Sequence, residues 1–358
     1  MVDPTMDIQH ATAWGIFLAF VLAMLGFDLL VLHRKPREVE LREAFVGAVL
    51  PVILALLFVG IIYAAYEHHW LDLGVASQTS EQFKHLYPQS GYDAAVQFVT
   101  GYIVELSLSA DNIFLFVILM NVFKVPRHLQ HRVLFWGVLG AIVMRGIMIV
   151  VGATLIARFQ WIIYLFGAFL LYTAWRMLFA SHETQNFADG FGSRLARKFF
   201  PVHPEFVGNK FFVSIGGPPP RRMATTLFVV LVCIEFTDLV FALDSIPAIF
   251  GITRDAFIVF TSNVFAILGL RSMYFLLAGV IDKFQYLKTG LAVVLGFVGA
   301  KMLLPGIGAF YGRYVTGTPQ HWDIDEFLSL AIIVGTLTVS ILASIVRPPK
   351  HQAAPHQV

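Results

Sequence analysis

Glu105-Leu-Ser-Leu-Ser-Ala-Asp111-Asn112 is an acidic segment within a long apolar stretch, and it recurs as Asp238-Leu-Val-Phe-Ala-Leu-Asp244-Ser245. Each copy begins with an acid and a leucine and ends with a second acid and a small polar residue. A charged side chain near the centre of a membrane span costs about 2.5 to 3.5 kcal/mol. Acids at matching positions in two apolar segments therefore indicate a functional site and an internal repeat.

The composition places these segments in a membrane protein. Of 358 residues, 58% are hydrophobic and 13% are charged, whereas a soluble domain carries about 25% charge. The apolar residues come in runs of about 20, the length that crosses a bilayer as a helix. These features exclude a soluble enzyme and a nucleic-acid binder. We expect an all-α polytopic membrane protein without enzymatic activity.

Apolar windows bounded by charged or turn residues predict about nine transmembrane helices. The first window is not expected to be a cleaved signal peptide, because no lysine or arginine precedes it. The predicted helices cover residues 12–32, 44–66, 95–122, 133–157, 160–179, 224–250, 256–281, 290–311 and 327–346.

The distribution of basic residues predicts the orientation of the chain. They concentrate in alternate loops, at 34–42, 124–132, 194–222, 283–288 and 347–350. The intervening loops hold only Lys84, Arg158, Arg254 and Arg313. Since cytoplasmic loops carry the excess of lysine and arginine, we expect a multi-pass plasma (inner) membrane protein with its N-terminus outside and its C-terminus in the cytoplasm.

One cytoplasmic loop, residues 181–222, is long, although it is too short for an independent domain. Within it, Phe191, Leu195 and Phe199 fall on one helical stripe beside basic residues. This pattern is typical of an interfacial helix on an anionic membrane surface. A solvated linker with scattered aromatic residues is the alternative.

The repeat extends beyond the acidic segments. In the span that follows each of them, Met144-Arg145-Gly146 aligns with Leu270-Arg271-Ser272, and the third spans align Arg176-Met177-Leu178 with Lys301-Met302-Leu303. Because each unit has three spans, the second copy is inverted relative to the first. The predicted divisions are two N-terminal helices (1–94), the first repeat (95–180), the cytoplasmic loop (181–222), the second repeat (223–312) and a C-terminal helix and tail (313–358).

Five acids lie near the middle of the predicted spans: Glu105, Asp111, Glu235, Asp238 and Asp244. A sixth, Asp28, lies close to the cytoplasmic end of the first span, where we expect it to reach the interface or cap the helix, so it is not assigned to the site. Arg145 and Arg271 can balance only part of the charge of the five central acids, which leaves a site suited to a divalent cation or to protons. Acids six residues apart cannot share one face of an unbroken helix, so we expect the helices to break near Ser107 and Pro247. The alternative is that the acids form structural ion pairs with Arg145, Arg271 and Lys301.

The ligand types narrow the choice of metal. Carboxylates, freed carbonyls and the amide of Asn112 suit hard cations such as manganese, magnesium or calcium, whereas zinc and copper favour histidine or cysteine. Glu67, His68, His69 and Asp72 on the outer side form a second group that could collect metal. Interfacial polar residues after a span are the commoner explanation of that second group.

These motifs resemble the TerC family of integral membrane proteins, which includes Alx-like proteins within a wider group of lysine-exporter-like transporters. The resemblance rests on the two acidic segments, on Glu235-Phe-Thr-Asp238 and on Thr261-Ser-Asn263-Val-Phe-Ala-Ile-Leu-Gly-Leu-Arg271. It extends over roughly residues 10–346. Thr226 departs from the proline that often opens the sixth span in the family.

The resemblance implies tellurite resistance, alkaline-induced expression and manganese export. It also implies that metal is handled by Glu105, Asp111, Asn112, Asp238 and Asp244, with Glu235 and Asn263 as further positions. We therefore expect a secondary transporter with manganese as its substrate, protons as a candidate counter-ion and no organic cofactor. A membrane scaffold that delivers metal to secretion machinery or metalloenzymes is the alternative. Redox modulation is disfavoured, because Cys233 is the single cysteine.

Overall fold

The computed structural model describes residues 4–27, 41–74, 87–159, 161–179, 191–215, 221–277, 286–311, 322 and 324–346. Within its helices, the side chains of residues 4–10, 27, 41, 110, 111, 114, 191, 192 and 277 also lie outside the description. Predictions that concern Asp28 or the side chain of Asp111 therefore fall outside the described residues.

The described chain is predominantly helical. Its α-helices are α1 (Pro4–Phe27), α2 (Leu41–Glu67), α3 (Gly91–Val122), α4 (Arg127–Arg158), α5 (Ile162–Phe179), α6 (Phe191–Phe199), α7 (Thr226–Phe250), α8 (Ala256–Leu268), α9 (Leu270–Leu277), α10 (Leu287–Tyr311) and α11 (Glu326–Val346). A short 3₁₀ helix covers Trp70–Asp72.

Seven helical stretches among the described residues are long and apolar enough to cross a membrane: α2, α4, α5, α7, α8 with α9, α10 and α11. In α1 the apolar stretch is shorter, Ala11–Gly26. The acid-bearing α3 has 32 residues, but three of its side chains lie outside the description. The multi-pass architecture is thus present, and the number nine stays a prediction.

Polar side chains determine where several helices begin. Ser90 Oγ accepts a hydrogen bond from Asp93 N at the start of α3. Asp255 Oδ1 accepts from Phe257 N and Ile258 N at the start of α8, and Asp325 caps α11 in the same way. Each cap satisfies backbone N–H groups that have no partner in the first helical turn.

The core lies around α8, where every side chain from Phe257 to Ile267 is buried. α3 packs on α8, and α4 packs on α7, so the two predicted repeats interlock. On α2 and α11, by contrast, large apolar side chains such as Leu56, Leu57 and Val339 are exposed. Exposed apolar faces of this extent are typical of surfaces covered by lipid.

Helices α5 and α10 approach each other closely through glycine. A Cβ atom at Gly299 would lie 2.8 Å from the carbonyl oxygen of Gly167 and 3.1 Å from Leu171 N. Only a residue without a side chain fits against backbone atoms at this distance. The small residues therefore fix how α5 sits on the second repeat.

The predicted helix breaks near Ser107 and Pro247 are wrong. α3 and α7 are each continuous through their acidic segments. The hydroxyl of Ser107 donates to the carbonyl of Ile103 within the same helix, 2.7 Å away, which is compatible with helical geometry. Pro247 lies in the last turn of α7, where the loss of one backbone hydrogen bond does not end the helix early.

An interruption is found instead in the predicted seventh span. Gly269 separates α8 from α9. The backbone of Gly269 remains in the right-handed helical region, so the interruption is a single residue. It lies two residues before Arg271.

The loop between α5 and α7 contains structure that the sequence did not predict. A three-stranded sheet forms from β1 (Val202–His203), β2 (Phe212–Ile215) and β3 (Arg221–Thr225), with β3 in the middle. β1 is parallel and β2 antiparallel to β3. The helix predicted around Leu195 is present as α6, and its location at a membrane surface stays a prediction.

β3 leads directly into α7. Thr226 Oγ1 donates to the carbonyl of Pro204 at 2.9 Å, which ties the first residue of α7 to the turn after β1. This bond gives the threonine at position 226 a structural role at the point where proline was expected.

Candidate functional site

A buried ion-pair triad joins the helices α3, α4 and α7. Arg145 of α4 is 1% exposed, and its guanidinium lies between Glu105 of α3 and Asp238 of α7. Its Nη2 donates to Asp238 Oδ1 at 2.9 Å and its Nε to Asp238 Oδ2 at 3.2 Å. Its Nη1 pairs with Glu105 Oε1. Two carboxylates from different repeats thus share one arginine.

The two-pronged contact with Asp238 uses the planar fork of the guanidinium group. Lysine could not reproduce this geometry with its single nitrogen. With both carboxylates ionised, the triad carries a net negative charge. A buried excess of negative charge is unfavourable unless a further cation or a proton compensates it.

Helical periodicity places further polar groups on the triad face of α3. Glu105, Ser109 and Asn112 recur at intervals of four and three residues, so they lie on one stripe, and all three are buried. Ser109 Oγ and Asn112 Nδ2 have no hydrogen-bond partner among the described residues. Buried polar atoms without partners are rare and indicate a ligand, water or functional strain.

α8 contributes a second amide. Asn263 is 1% exposed, and both its Oδ1 and its Nδ2 lack a hydrogen-bond partner within the described part of the chain. The neighbouring Thr261 and Ser262, in contrast, donate to carbonyls of their own helix. Asn263 therefore retains a carbonyl oxygen that could bind a hard cation.

Glu235 lies on α7 one helical turn before Asp238. Its carboxylate occupies the space beside Gly140 of α4, where a Cβ atom would overlap it. Its Oε2 is buried and has no hydrogen-bond partner among the described residues. Glu235 is thus close to the triad without being part of it.

Asp244 faces a different helix. It is half-buried, and its Oδ1 accepts a hydrogen bond from Thr173 Oγ1 of α5 at 3.2 Å. Because α7 is unbroken, the offset of six residues from Asp238 to Asp244 turns the two side chains about 240° apart. The structure therefore does not join Asp244 to the triad in the way that a broken helix would have done.

The remaining predicted positions can be placed only in part. Arg145 pairs with one carboxylate of each acidic segment. Arg271 is buried in α9. Lys301 of α10, the third base considered, donates to Ser329 of α11 at 3.0 Å. The side chain of Asp111 lies outside the description.

The described residues contain no group of three histidine, cysteine, aspartate or glutamate side chains close enough to hold a metal ion. In the outer group, Glu67 Oε2 accepts from Gly91 N at 2.9 Å and so caps α3. His69 Nδ1 lies 3.3 Å from the Leu73 carbonyl. The structural explanation of Glu67 is thus supported. In the central group, Arg145 occupies the position between the acids.

Two residues of this region were not predicted from the sequence. Gly140 makes room for Glu235, and Thr173 binds Asp244. A lone glycine or threonine in an apolar helix carries no pattern that marks it. Only the packing of α4 and α5 against α7 reveals their roles.

The long apolar helices define a multi-pass integral membrane protein, and its interior contains buried carboxylate and guanidinium side chains. Residues 90–352 match the TerC family of integral membrane proteins. The chain belongs to this family.

Named relatives agree with this assignment. An uncharacterised membrane protein of Myxococcus xanthus is 44% identical over 334 residues, which cover 93% of this chain and 92% of the relative. Alx of Escherichia coli K12, named as a proposed membrane-bound redox modulator, is 43% identical over 330 residues, 92% of each protein. A membrane protein of Rickettsia bellii is 34% identical over 335 residues, 94% of this chain and 97% of the relative. No solved structure matches the chain significantly.

Proposed function

We propose that this protein is a secondary transporter that exports divalent metal cations, with manganese as its preferred substrate. The observation that carries the proposal is the triad of Glu105, Arg145 and Asp238. It places two carboxylates from different repeats in the protein interior with one base between them. Ionisable groups held in the interior of a membrane protein usually mark an ion pathway.

The polar groups near the triad support a hard cation as cargo. On α3 they are the carboxylate of Glu105, the hydroxyl of Ser109 and the amide of Asn112, and α8, which packs on α3, adds the amide of Asn263. Ser109 Oγ, Asn112 Nδ2 and both amide atoms of Asn263 have no hydrogen-bond partner among the described residues. Oxygen ligands of this kind select manganese, magnesium or calcium over softer metals. The family resemblance favours manganese among these three.

Helix packing supports an inverted repeat of α3 to α5 and α7 to α10. A two-fold axis that exchanges the repeats would convert the α3–α8 contact into the α7–α4 contact, and both contacts exist. The sequence alignment sets Leu171 opposite Gly296 and Ala174 opposite Gly299. Leu171 lies against Gly299 and Ala174 lies against Gly296, as the same exchange requires. Alternating access through such a repeat exposes a midplane site to each side in turn.

In this mechanism the guanidinium group of Arg145 occupies the cation site when no metal is bound. When the site is empty, the guanidinium compensates Glu105 and Asp238, and an arriving cation displaces it. Asp111 and Asp244 bind the cation from opposite repeats at another stage, with Arg271 as the second balancing charge. Glu105 and Asp238 can also take up protons, which couples export to proton entry.

The charge of the α5–α7 connection supports the proposed orientation. Arg194, Arg197 and Lys198 of α6 and Arg221 and Arg222 of β3 are all exposed. A basic surface of this kind favours the cytoplasmic side of the plasma membrane. The N-terminus then lies outside and the C-terminus inside.

A redox role, suggested by the name of Alx, has no support from the thiol chemistry of this chain. Cys233 is its one cysteine and is buried in α7. Disulfide exchange within the chain would need a second cysteine.

The proposal is tested with the purified protein in liposomes and Mn²⁺ as the only transported ion offered. We expect uptake that is lost in Glu105→Gln and Asp238→Asn, since each substitution removes an anionic ligand with little change of shape. The control is Glu205→Gln, because the Glu205 side chain is 81% exposed in the cytoplasmic loop. This control should transport like the wild type.

Absence of Mn²⁺ flux through the wild-type protein alone would overturn the transporter proposal and favour a scaffold that delivers metal to partners. Flux that persists in both site variants would show that the carboxylates do not carry the ion.

A further inference from the structure

The carboxylate of Glu235 lies beside the triad, one helical turn from Asp238. It fills the gap at Gly140, and its Oε2 is buried with no hydrogen-bond partner among the described residues. Leaving a buried carboxylate oxygen without a hydrogen bond is unfavourable. We therefore expect a second state of the protein in which this carboxylate gains a partner.

The geometry of α4 brings Arg145 within reach of that carboxylate. Gly140 precedes Arg145 by five residues, about 7.5 Å along the helix and about 140° around it. Both residues nevertheless contact α7, Gly140 at Glu235 and the long side chain of Arg145 at Asp238. Helical side chains tilt toward the N-terminus of their helix, so the guanidinium of Arg145 is directed toward the level of Gly140. On α7, Glu235 and Asp238 are three residues apart and share a face. A rotation of one long side chain can therefore exchange one carboxylate for the other.

We infer that Glu235 is the alternate partner of Arg145, which receives the guanidinium when a cation occupies Glu105 and Asp238. This inference rests on the proposed function and names how the same site is regulated. A displaced arginine in the protein interior needs a new counter-charge, because a buried charge without a partner is strongly destabilising. Glu235 can supply that counter-charge, because it lies one helical turn from Asp238. The absence of a side chain at Gly140 leaves room for its carboxylate.

The direction of the exchange fits export. Both α4 and α7 begin on the side that the basic residues assign to the cytoplasm, so Glu235 lies on the cytoplasmic side of the triad. Arg145 is thus drawn toward the side from which the cation enters. Its return to Glu105 and Asp238 after release restores the empty state.

The inference predicts a specific kinetic effect. Without Glu235, Arg145 competes more strongly for the cation ligands, and the fraction of protein able to bind metal falls. In liposomes containing Glu235→Gln we expect the KM for Mn²⁺ to rise about tenfold, with a smaller change in kcat. Gly140→Ala should act in the same direction, because the added methyl group displaces the carboxylate.

Gly137→Ala is the matched control. Gly137 lies one turn earlier on α4, and a Cβ atom there would meet only Ile234 Cγ2, at 3.2 Å. This variant perturbs the same helix contact without touching Glu235, so its KM should stay near the wild-type value. In addition, Glu235→Gln should have no further effect on Mn²⁺ binding when Arg145→Gln is already present.

The outcomes separate the inference from the proposed function. Wild-type flux with unchanged KM values in both Glu235→Gln and Gly140→Ala would overturn the inference and leave the transporter standing. An equal rise of KM in Gly137→Ala would assign the effect to packing and also overturn it. Wild-type protein that moves no Mn²⁺ would overturn both.

Discussion

Asp238 and Asp244 stand on the same helix six residues apart, yet their surroundings differ. Asp238 is 4% exposed and is held by two nitrogens of Arg145 from α4. Asp244 is half-buried and receives one hydroxyl hydrogen bond from Thr173 of α5. Asp238 is paired directly with a guanidinium group, whereas Asp244 accepts a hydrogen bond from a hydroxyl and interacts with the charge of Arg176 on α5 only at longer range.

This difference separates two roles within the acidic segment. The Asp238 side of α7 joins both repeats through a charged triad, and breaking the triad leaves buried charge behind. The Asp244 side carries a weakly bound carboxylate that can exchange its threonine partner for a cation at small cost. We therefore expect substitutions on the α4 side to lower stability as well as ion handling, and those on the α5 side to affect ion handling with little effect on stability.

The largest effect is expected for Arg145→Gln. It leaves Glu105 and Asp238 buried without a counter-charge, and breaking a buried pair in this way costs about 3 to 5 kcal/mol. The free energy of unfolding in detergent micelles measures this loss. Arg158→Gln is the control, since Arg158 ends the same helix and is exposed; it should be nearly neutral. Equal stability of the two variants would contradict the role given to the triad.

An intermediate effect is expected where α5, which carries Thr173, rests on α10. Gly299→Ala would force a methyl group against backbone atoms of Gly167 and Leu171. Overpacking of this kind costs about 1 to 3 kcal/mol. Thermal unfolding in detergent should show this loss of stability.

Gly296→Ala is the control for that experiment. It lies one turn earlier on α10, and its Cβ would meet Ala174 Cβ at 3.6 Å, an ordinary contact. A Gly296→Ala variant as unstable as Gly299→Ala would mean that the close approach at Gly299 is not what fixes α5.

The helices were largely predictable from the sequence because a bilayer requires long apolar runs. The small sheet was not, because its strands have two to five residues in a polar connection and their pairing depends on tertiary contacts. The expected breaks in α3 and α7 were wrong. Serine can satisfy its hydroxyl within a helix, and a proline in the final turn is tolerated.

For the candidate site, intramembrane acids and the repeat directed attention to Glu105, Asp238 and Arg145. Which acid pairs with which base could not be read from the sequence, because it depends on how α3, α4 and α7 pack. The separation of Asp244 from Asp238 followed from helix geometry once α7 proved continuous. The number of spans, the metal and the partners of Asp111 stay predictions.

The smallest effect on stability is expected on the α5 side, with Thr173→Val and Asp244→Asn. Thr173→Val removes one hydrogen bond between helices, and Asp244→Asn keeps an acceptor for that bond but removes its charge. Such bonds contribute about 0.6 kcal/mol on average in membrane proteins. Thr154→Val is the control, because its exposed hydroxyl donates to the carbonyl of Val150 within the same helix. All three variants should insert and unfold nearly as the wild type does.

Manganese export should nevertheless distinguish these three variants. Asp244→Asn loses an anionic ligand and should fail to rescue a strain that lacks its manganese exporters. Thr173→Val keeps the carboxylate, and it should retain export because a cation no longer competes with the threonine hydroxyl for Asp244. Thr154→Val should behave as the wild type. Full rescue by Asp244→Asn together with failure of Thr173→Val would contradict this prediction. In that case the contact between α5 and α7 has a structural role, and the ion is bound on the α4 side of α7 alone.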